Sequence, residues 1–291
     1  MTADPQSLVD DLVAESAALA DVLAGLRPQQ WALATPAAGW SVADQISHLA
    51  YFDEQTLQSL SDPVQFRREA ERLVRGGNFP DRIAAEYRDR RIDLLGWFRT
   101  ARSALVRAYR GCDPRRRVPW YGPDMSPSSS VTARLMETWA HGQDVLDALG
   151  IEGVPTDRLR HVAHLAIRAL PYSYRVNQLP QPTRPIRVEL GAPGGGQWTW
   201  GPPDAEDRVS GPAVDFCLVA TQRRHVLDTG LAVTGTTARQ WMAIAQAFAG
   251  PAGPGRAPRG SETAAAPSGR GSRLGDDPRL AEAPAEAEEE K

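Results

Sequence analysis

Glu137 and His141 stand four residues apart in Glu137-Thr138-Trp139-Ala140-His141-Gly142-Gln143-Asp144, a stretch that reads as helix. At that spacing the two side chains leave one helical face about one turn apart. Asp144, three residues beyond His141, joins the same face. A carboxylate and an imidazole so placed can bind one divalent metal ion. A third donor must come from elsewhere, and His48 is the candidate. Two imidazoles and a carboxylate leave room for water or substrate at a catalytic zinc site. The ion can acidify a bound water or thiol and hold it as a nucleophile. Asp144 is then better cast as a supporting or substrate-handling group, because three donors already make the site. Glu and His at this spacing also recur by chance on solvated helices, so the spacing alone leaves both readings open.

The elements that must position these residues are mostly helical. Residues 7–26 form an amphipathic pattern with Leu8, Leu12, Leu19 and Leu23 on one side. Trp40-Ser41-Val42-Ala43-Asp44 opens a second helix, with Ser41 as N-cap and Asp44 completing a capping box. His48 lies at the border of its apolar stripe, and Ser61-Asp62-Pro63 interrupts it. Residues 63–75 read as a charged helix, and 80–109 as one long helix whose many Arg side chains face solvent. Ser130 or Thr132 caps the helix of Glu137 and His141, and Gly150 ends it. Four long antiparallel helices make a bundle whose core can hold a metal site.

A further helix covers 156–170, and the Pro-rich segment 171–185 reads as a linker. Alternation at Ile186-Arg187-Val188-Glu189-Leu190 and at Gln197-Trp198-Thr199-Trp200 predicts strands, and Arg208-Val209 a third. Residues 211–224 and 236–248 read as helices. The expected organisation is a bundle over 1–170, a linker over 171–185 and a small α/β domain over 186–250. A disordered tail over 251–291 follows, rich in Pro, Gly, Ala, Arg and Glu. The fold class is α+β.

Composition narrows the function. The 291 residues suffice for two domains, and a net charge of -3 argues against a general nucleic-acid or membrane-surface binder. No apolar run approaches a membrane span, and residues 1–11 lack the basic start of a signal peptide. Cys112 and Cys217 form no paired motif, so a reducing cytoplasm is the default. Neither has a recognisable base beside it, so no Cys nucleophile is expected.

Gly39-Trp40-Ser41 with His48-Leu49 resembles the first metal motif of the DinB-like helical bundles. Glu137-x-x-x-His141-x-x-Asp144 resembles the second motif of their mycothiol-dependent maleylpyruvate isomerase branch. The order of elements is also similar: a helical bundle, then a small domain resembling a sterol-carrier fold. The segments 211–216 and 221–224 look like that domain's helix and its Arg-bearing end. The resemblance implies zinc held by His48, Glu137 and His141, with mycothiol as cosubstrate. It implies that Asp144 orients a ligand and that Arg223 or Arg224 binds a substrate carboxylate as a fork. The thiolate would add to an electrophilic carbon of a small molecule. Expulsion of the thiol after bond rotation makes a cis–trans isomerase, and its retention an S-transferase. A metal-dependent hydrolase, or a non-catalytic metal- or small-ligand-binding protein, would use the same ligands. The partners expected are the thiol and the electrophile, with the chain a monomer or homodimer.

Overall fold

The computed structural model describes residues 5–75, 79–88 and 93–260. Two compact units divide between Val154 and Pro155.

The first unit contains α1 (Pro5–Ala24), α2 (Val42–Ser61), α3 (Pro63–Arg75), α4 (Phe79–Arg88), α5 (Leu94–Arg110) and α6 (Pro127–Leu149). α1, α2, α5 and α6 form the bundle: α2 packs on α5 and α6, and α1 packs on the same two helices. α3 and α4 lie against α2. The core gathers Leu19 and Leu23 of α1, Val42, Ile46 and Leu49 of α2, Phe98 of α5 and Val145 of α6, all buried. Burying a side chain of this size contributes about 1.5–3 kcal/mol each, so one apolar stripe per helix suffices to close the bundle.

Local chemistry sets the helix ends. Ser41 caps α2: its hydroxyl accepts from the Asp44 amide at 3.3 Å, and the Asp44 carboxylate accepts from the Ser41 amide at 2.7 Å. This closes the expected capping box. α6 starts earlier than the Ser130 or Thr132 expected. Ser126 is its cap, accepting from the Ser129 amide at 3.1 Å, and Pro127 opens the first turn. A Pro there gives up an amide that the helix would leave unpaired anyway. Replacing Ser126 by Ala should cost about 1 kcal/mol of stability in urea unfolding. Gly150 ends α6 in the left-handed region at φ 66°, a conformation that glycine adopts without a Cβ penalty.

Of the long helix expected over 80–109, the described residues form two elements, α4 and α5, and residues 89–92 lie outside the described residues. Asp93 restarts the chain as N-cap of α5, accepting from the Gly96 amide at 2.9 Å. The Arg side chains of this region do not all face solvent. Arg102 is 4% exposed, held inward by a fully buried carboxylate on α2.

The second unit contains α7 (Leu159–Arg168), α8 (Leu170–Val176), β1 (Ile186–Gly191), β2 (Gln197–Trp200), β3 (Asp207–Pro212), α9 (Ala213–Ala220), β4 (Ala232–Thr234) and α10 (Thr236–Ile244). The sheet order is β2-β1-β3-β4. β1 pairs antiparallel with β2 and parallel with β3, and β4 pairs antiparallel with β3. α9 packs on β1 and β3, and α10 on β3, β4 and α8. The units divide earlier than the boundary read at 170, because α7 packs against α9. α8 occupies part of the expected linker, since Pro171 sits in its first turn, where proline is tolerated. The fold is α+β. Residues 251–260 of the expected tail carry no helix or strand, and 261–291 lie outside the described residues. Among the described residues, no helix is long and apolar enough to cross a membrane.

Candidate metal centre

α2 and α6 bring His48, Glu137 and His141 together. Glu137 Oε2 lies 3.1 Å from His141 Nε2 and 3.8 Å from His48 Nε2. One ligand atom from each residue lies within 4.8 Å of the other two. Ligands at zinc bond lengths around a tetrahedron stand about 3.3 Å apart, so modest side-chain adjustment would seat one ion. Among the described residues, the cluster consists of these three. Asp144 is fully buried on α6 and stands outside it. Arg223 and Arg224 belong to the second unit, where each donates to a backbone carbonyl at 2.7 Å, of Thr221 and Arg223 respectively.

The protonation states suit ligation. Burial drives the His48 imidazole down to about 4, with the His141 and Arg134 charges acting in the same direction and Glu137 opposing. His48 is therefore neutral at pH 7. Burial pushes the Glu137 carboxyl upward, but the hydrogen bond with His141 and the close approach of the two imidazoles outweigh it and hold the group well below the usual carboxylate range. The site thus offers a neutral imidazole and an ionised carboxylate. His48 Nδ1 is buried and has no hydrogen-bond partner among the described residues. His48 is therefore not retained for a hydrogen-bonding role through that nitrogen, a cost that ligation through Nε2 would offset.

This shift has a measurable consequence. The folded value for His48 lies below the unfolded value, so the unfolded chain takes up the proton first as pH falls. Stability of the metal-free protein should be flat above pH 6.5 and fall between pH 6.5 and about 4. The loss should be on the order of 3 kcal/mol. Denaturant titrations with a chelator at several pH values measure it. His164, also lowered by burial, adds a slope of its own in that window, so a slope that His48→Ala leaves undiminished would contradict the assignment.

Aromatic rings cover the imidazoles. Trp40 lies 5.3 Å from His48 and 6.0 Å from His141, centroid to centroid, and Phe52 lies 4.6 Å from His48. The Trp40 indole N–H donates to Asp81 of α4 at 2.8 Å, which fixes the ring. Trp120 and Tyr121 contact Phe52 in turn, so this loop reaches the aromatic wall of the site. Trp139 is buried, as its position on another face of α6 implies.

Beside the donors lies a buried ionic network that the sequence reading missed. Asp53 of α2 receives Arg102 Nε at 2.6 Å and Nη2 at 3.0 Å, and Arg134 Nε at 3.0 Å. Arg102 also donates to Ser16 of α1 and to Thr138 of α6. Three bundle helices therefore meet at one carboxylate, and α1 joins them through Arg102. Asp53 is five residues after His48, and Arg134 three before Glu137, so the network fixes α2 against α6 at the height of the donors. Arg134 at i−3 from Glu137 was the available signal, since that spacing puts it on the same inward face.

Gln45 and Thr35 were also missed. The Gln45 side-chain carbonyl faces His141 Nδ1 in a hydrogen bond, and its amide donates to Thr35 Oγ1 at 2.8 Å. Gln45 lies three residues before His48, one turn away on α2, and is fully buried. The remaining histidines play other parts: His164 is exposed, and His225 Nδ1 accepts from the Leu227 amide at 3.2 Å. Both cysteines are free thiols, and burial pushes each upward, which keeps them protonated.

A helical bundle with two imidazoles and a carboxylate converging from two helices defines a class of candidate metal-binding bundle, followed here by a small mixed-sheet unit. Residues 12–146 match the family model described as the mycothiol maleylpyruvate isomerase N-terminal domain, and residues 182–234 match one described as wyosine base formation. Two uncharacterized proteins of Mycobacterium tuberculosis, from strains CDC 1551 and H37Rv, are each 43% identical over 256 residues, covering 87% of this chain and 100% of their own length. A crystal structure of the mycothiol-dependent maleylpyruvate isomerase superposes with a TM-score of 0.54 at 15% identity, over 79% of this chain and 92% of that one. A His-to-Ala mutant of that isomerase superposes with the same score and identity, over 81% and 94%. The chain belongs to the mycothiol maleylpyruvate isomerase-like family.

Proposed function

We propose that the chain is an enzyme that binds one divalent metal ion, zinc in the first instance, through His48, Glu137 and His141. The ion would activate mycothiol, or a similar low-molecular-weight thiol, toward a small electrophile. The observation that carries this reading is the convergence of three donor atoms from α2 and α6 within 4.8 Å of one another. Three protein ligands leave a tetrahedral ion one exchangeable position. When bound, the ion supplies the positive charge that favours thiolate over thiol near neutral pH.

This chain's residues set the conditions for that chemistry. His48 brings no charge and Glu137 brings one negative charge, so with a neutral His141 the occupied site keeps a net positive charge that an anionic sulfur neutralises. Trp40 and Phe52 cover the imidazoles and lower the local dielectric, which strengthens each of these interactions. We assign Asp144 the role of orienting a ligand or the cosubstrate, and Arg223 or Arg224 that of receiving a substrate carboxylate. A reduced thiol cosubstrate suits a reducing cytoplasm.

Isomerase and S-transferase differ in the fate of the thiol. Zinc-loaded protein with mycothiol and a panel of electrophiles, cis-configured unsaturated acids included, separates them. A falling thiol titre with a new thioether is transfer, and a changed double-bond geometry at constant thiol is isomerisation. Neither outcome with any electrophile, in protein that holds stoichiometric zinc, would sink the thiol reading.

A further inference from the structure

We propose that Gln45 is a positioning residue that keeps a proton on Nδ1 of His141, so that the Nε2 lone pair is presented to the metal. The proposal rests on the metal reading above for its purpose and on a hydrogen-bond chain for its direction.

The chain of donors and acceptors can be followed from a backbone group of known polarity. The Trp40 carbonyl can only accept. It receives the Thr35 amide at 2.8 Å and the Thr35 hydroxyl at 2.9 Å. With its one proton committed, Thr35 Oγ1 must accept from Gln45, so the atom at 2.8 Å is the Gln45 amide nitrogen. The other end of that amide, facing His141 Nδ1, is then the carbonyl oxygen, which can only accept. His141 Nδ1 must donate.

The consequence lies on the other side of the ring. His141 Nε2 is 3.1 Å from Glu137 Oε2, and a carboxylate is a strong acceptor. A neutral imidazole has one proton, for which Gln45 and Glu137 compete. Were Glu137 to win, the proton would occupy the position that a metal needs, and two of the three ligands would be tied to each other. Gln45 shifts that competition. Its own geometry is secured: it is fully buried on α2, and Thr35 sits in a short hairpin-like turn closed by the Ala34–Ser41 bridge and by the Val42 amide donating to Leu33 at 3.0 Å. The turn before α2 therefore helps set the tautomer of a residue on α6.

Side-chain nitrogen NMR of the metal-free protein and zinc titration together test this. Wild type should show His141 with a hydrogen-bonded proton on Nδ1. Gln45→Leu, which fills the space without an acceptor, should move the proton of the neutral ring to Nε2 and weaken zinc binding about 10–100-fold, the range for lost supporting contacts. Thr35→Val should act in the same direction, because the Gln45 amide is then free to turn over. Gln45→Glu restores an acceptor at Nδ1 and should keep both the proton position and the zinc affinity near wild type. Circular dichroism checks that each variant is folded. A wild-type His141 protonated at Nε2 alone overturns the proposal. Unchanged zinc affinity in Gln45→Leu, with binding lost in His48→Ala, also overturns it and leaves the metal reading standing. A wild type that binds no zinc overturns the metal reading instead, and the nitrogen spectra then decide the proton's position by themselves.

Discussion

Replacing His48 or His141 by alanine should abolish stoichiometric zinc binding while leaving the bundle folded. Each change removes one of the three proposed protein donors, so the loss should exceed the roughly 100-fold ceiling for supporting contacts. The stability of the metal-free protein decides between ligand and structural roles. His48 Nδ1 is buried without a partner among the described residues, and removing an unsatisfied buried polar group relieves a desolvation penalty of about 1–3 kcal/mol. That relief offsets the packing lost beside Phe52 and Trp40, so apo His48→Ala should unfold within about 1 kcal/mol of wild type. A histidine retained for packing alone predicts the opposite pattern: apo stability falls and metal content does not change. Metal analysis after dialysis, combined with urea unfolding under chelator, reads both quantities.

Asp53→Asn should be the most damaging single substitution in the bundle. Asp53 is the shared counter-charge of Arg102 and Arg134, whose side chains are 5% and 4% exposed. Neutralising it leaves two guanidiniums facing each other in a buried site. Breaking a buried pair by removing one partner costs about 3–5 kcal/mol, a large share of the roughly 5–15 kcal/mol that holds a typical domain together. Arg102→Met should cost less, because Arg134 and Asp53 remain a neutral pair. The order of the two variants therefore tests the charge arithmetic as well as the contact. Since the network spans α1, α2, α5 and α6, a folded Asp53→Asn protein should also bind zinc more weakly through misplacement of His48 against Glu137. A cost below about 1 kcal/mol, the level of an exposed ion pair, would contradict this account.

The parts of the site that were legible in the sequence are those written in local spacing. Glu137 and His141 announce themselves at i and i+4, and Ser41 with Asp44 announces the helix start that places His48. Gly150 marks the end of α6 because few other residues take its conformation. What escaped depends on partners far along the chain. Arg102 looks like any surface arginine until Asp53, 49 residues away, proves fully buried. Gln45 sits in the first turn of α2, where a polar residue needs no explanation, and only the packing of α6 gives it a ring to face. The start of α5 was hidden because the sequence around it keeps helical spacing of apolar and charged residues, and Asp93 shows itself as a cap only through its bond to the Gly96 amide. Pro171 read as part of a linker because the segment 171–185 is Pro-rich, yet here it sits in the first turn of α8, where proline is favoured. The three-residue β4 is too short to show alternation and exists through its pairing with β3.

The central claim is that the donors of α2 and α6 hold a metal that takes a thiolate. Cobalt(II) substituted for zinc makes that bond visible, since sulfur ligation to cobalt adds a thiolate-to-metal absorption band. Titrating mycothiol into the cobalt-loaded protein should raise this band to saturation at one thiol per metal, with no such response in His141→Ala. A cobalt spectrum that stays unchanged on addition of excess mycothiol would contradict the account.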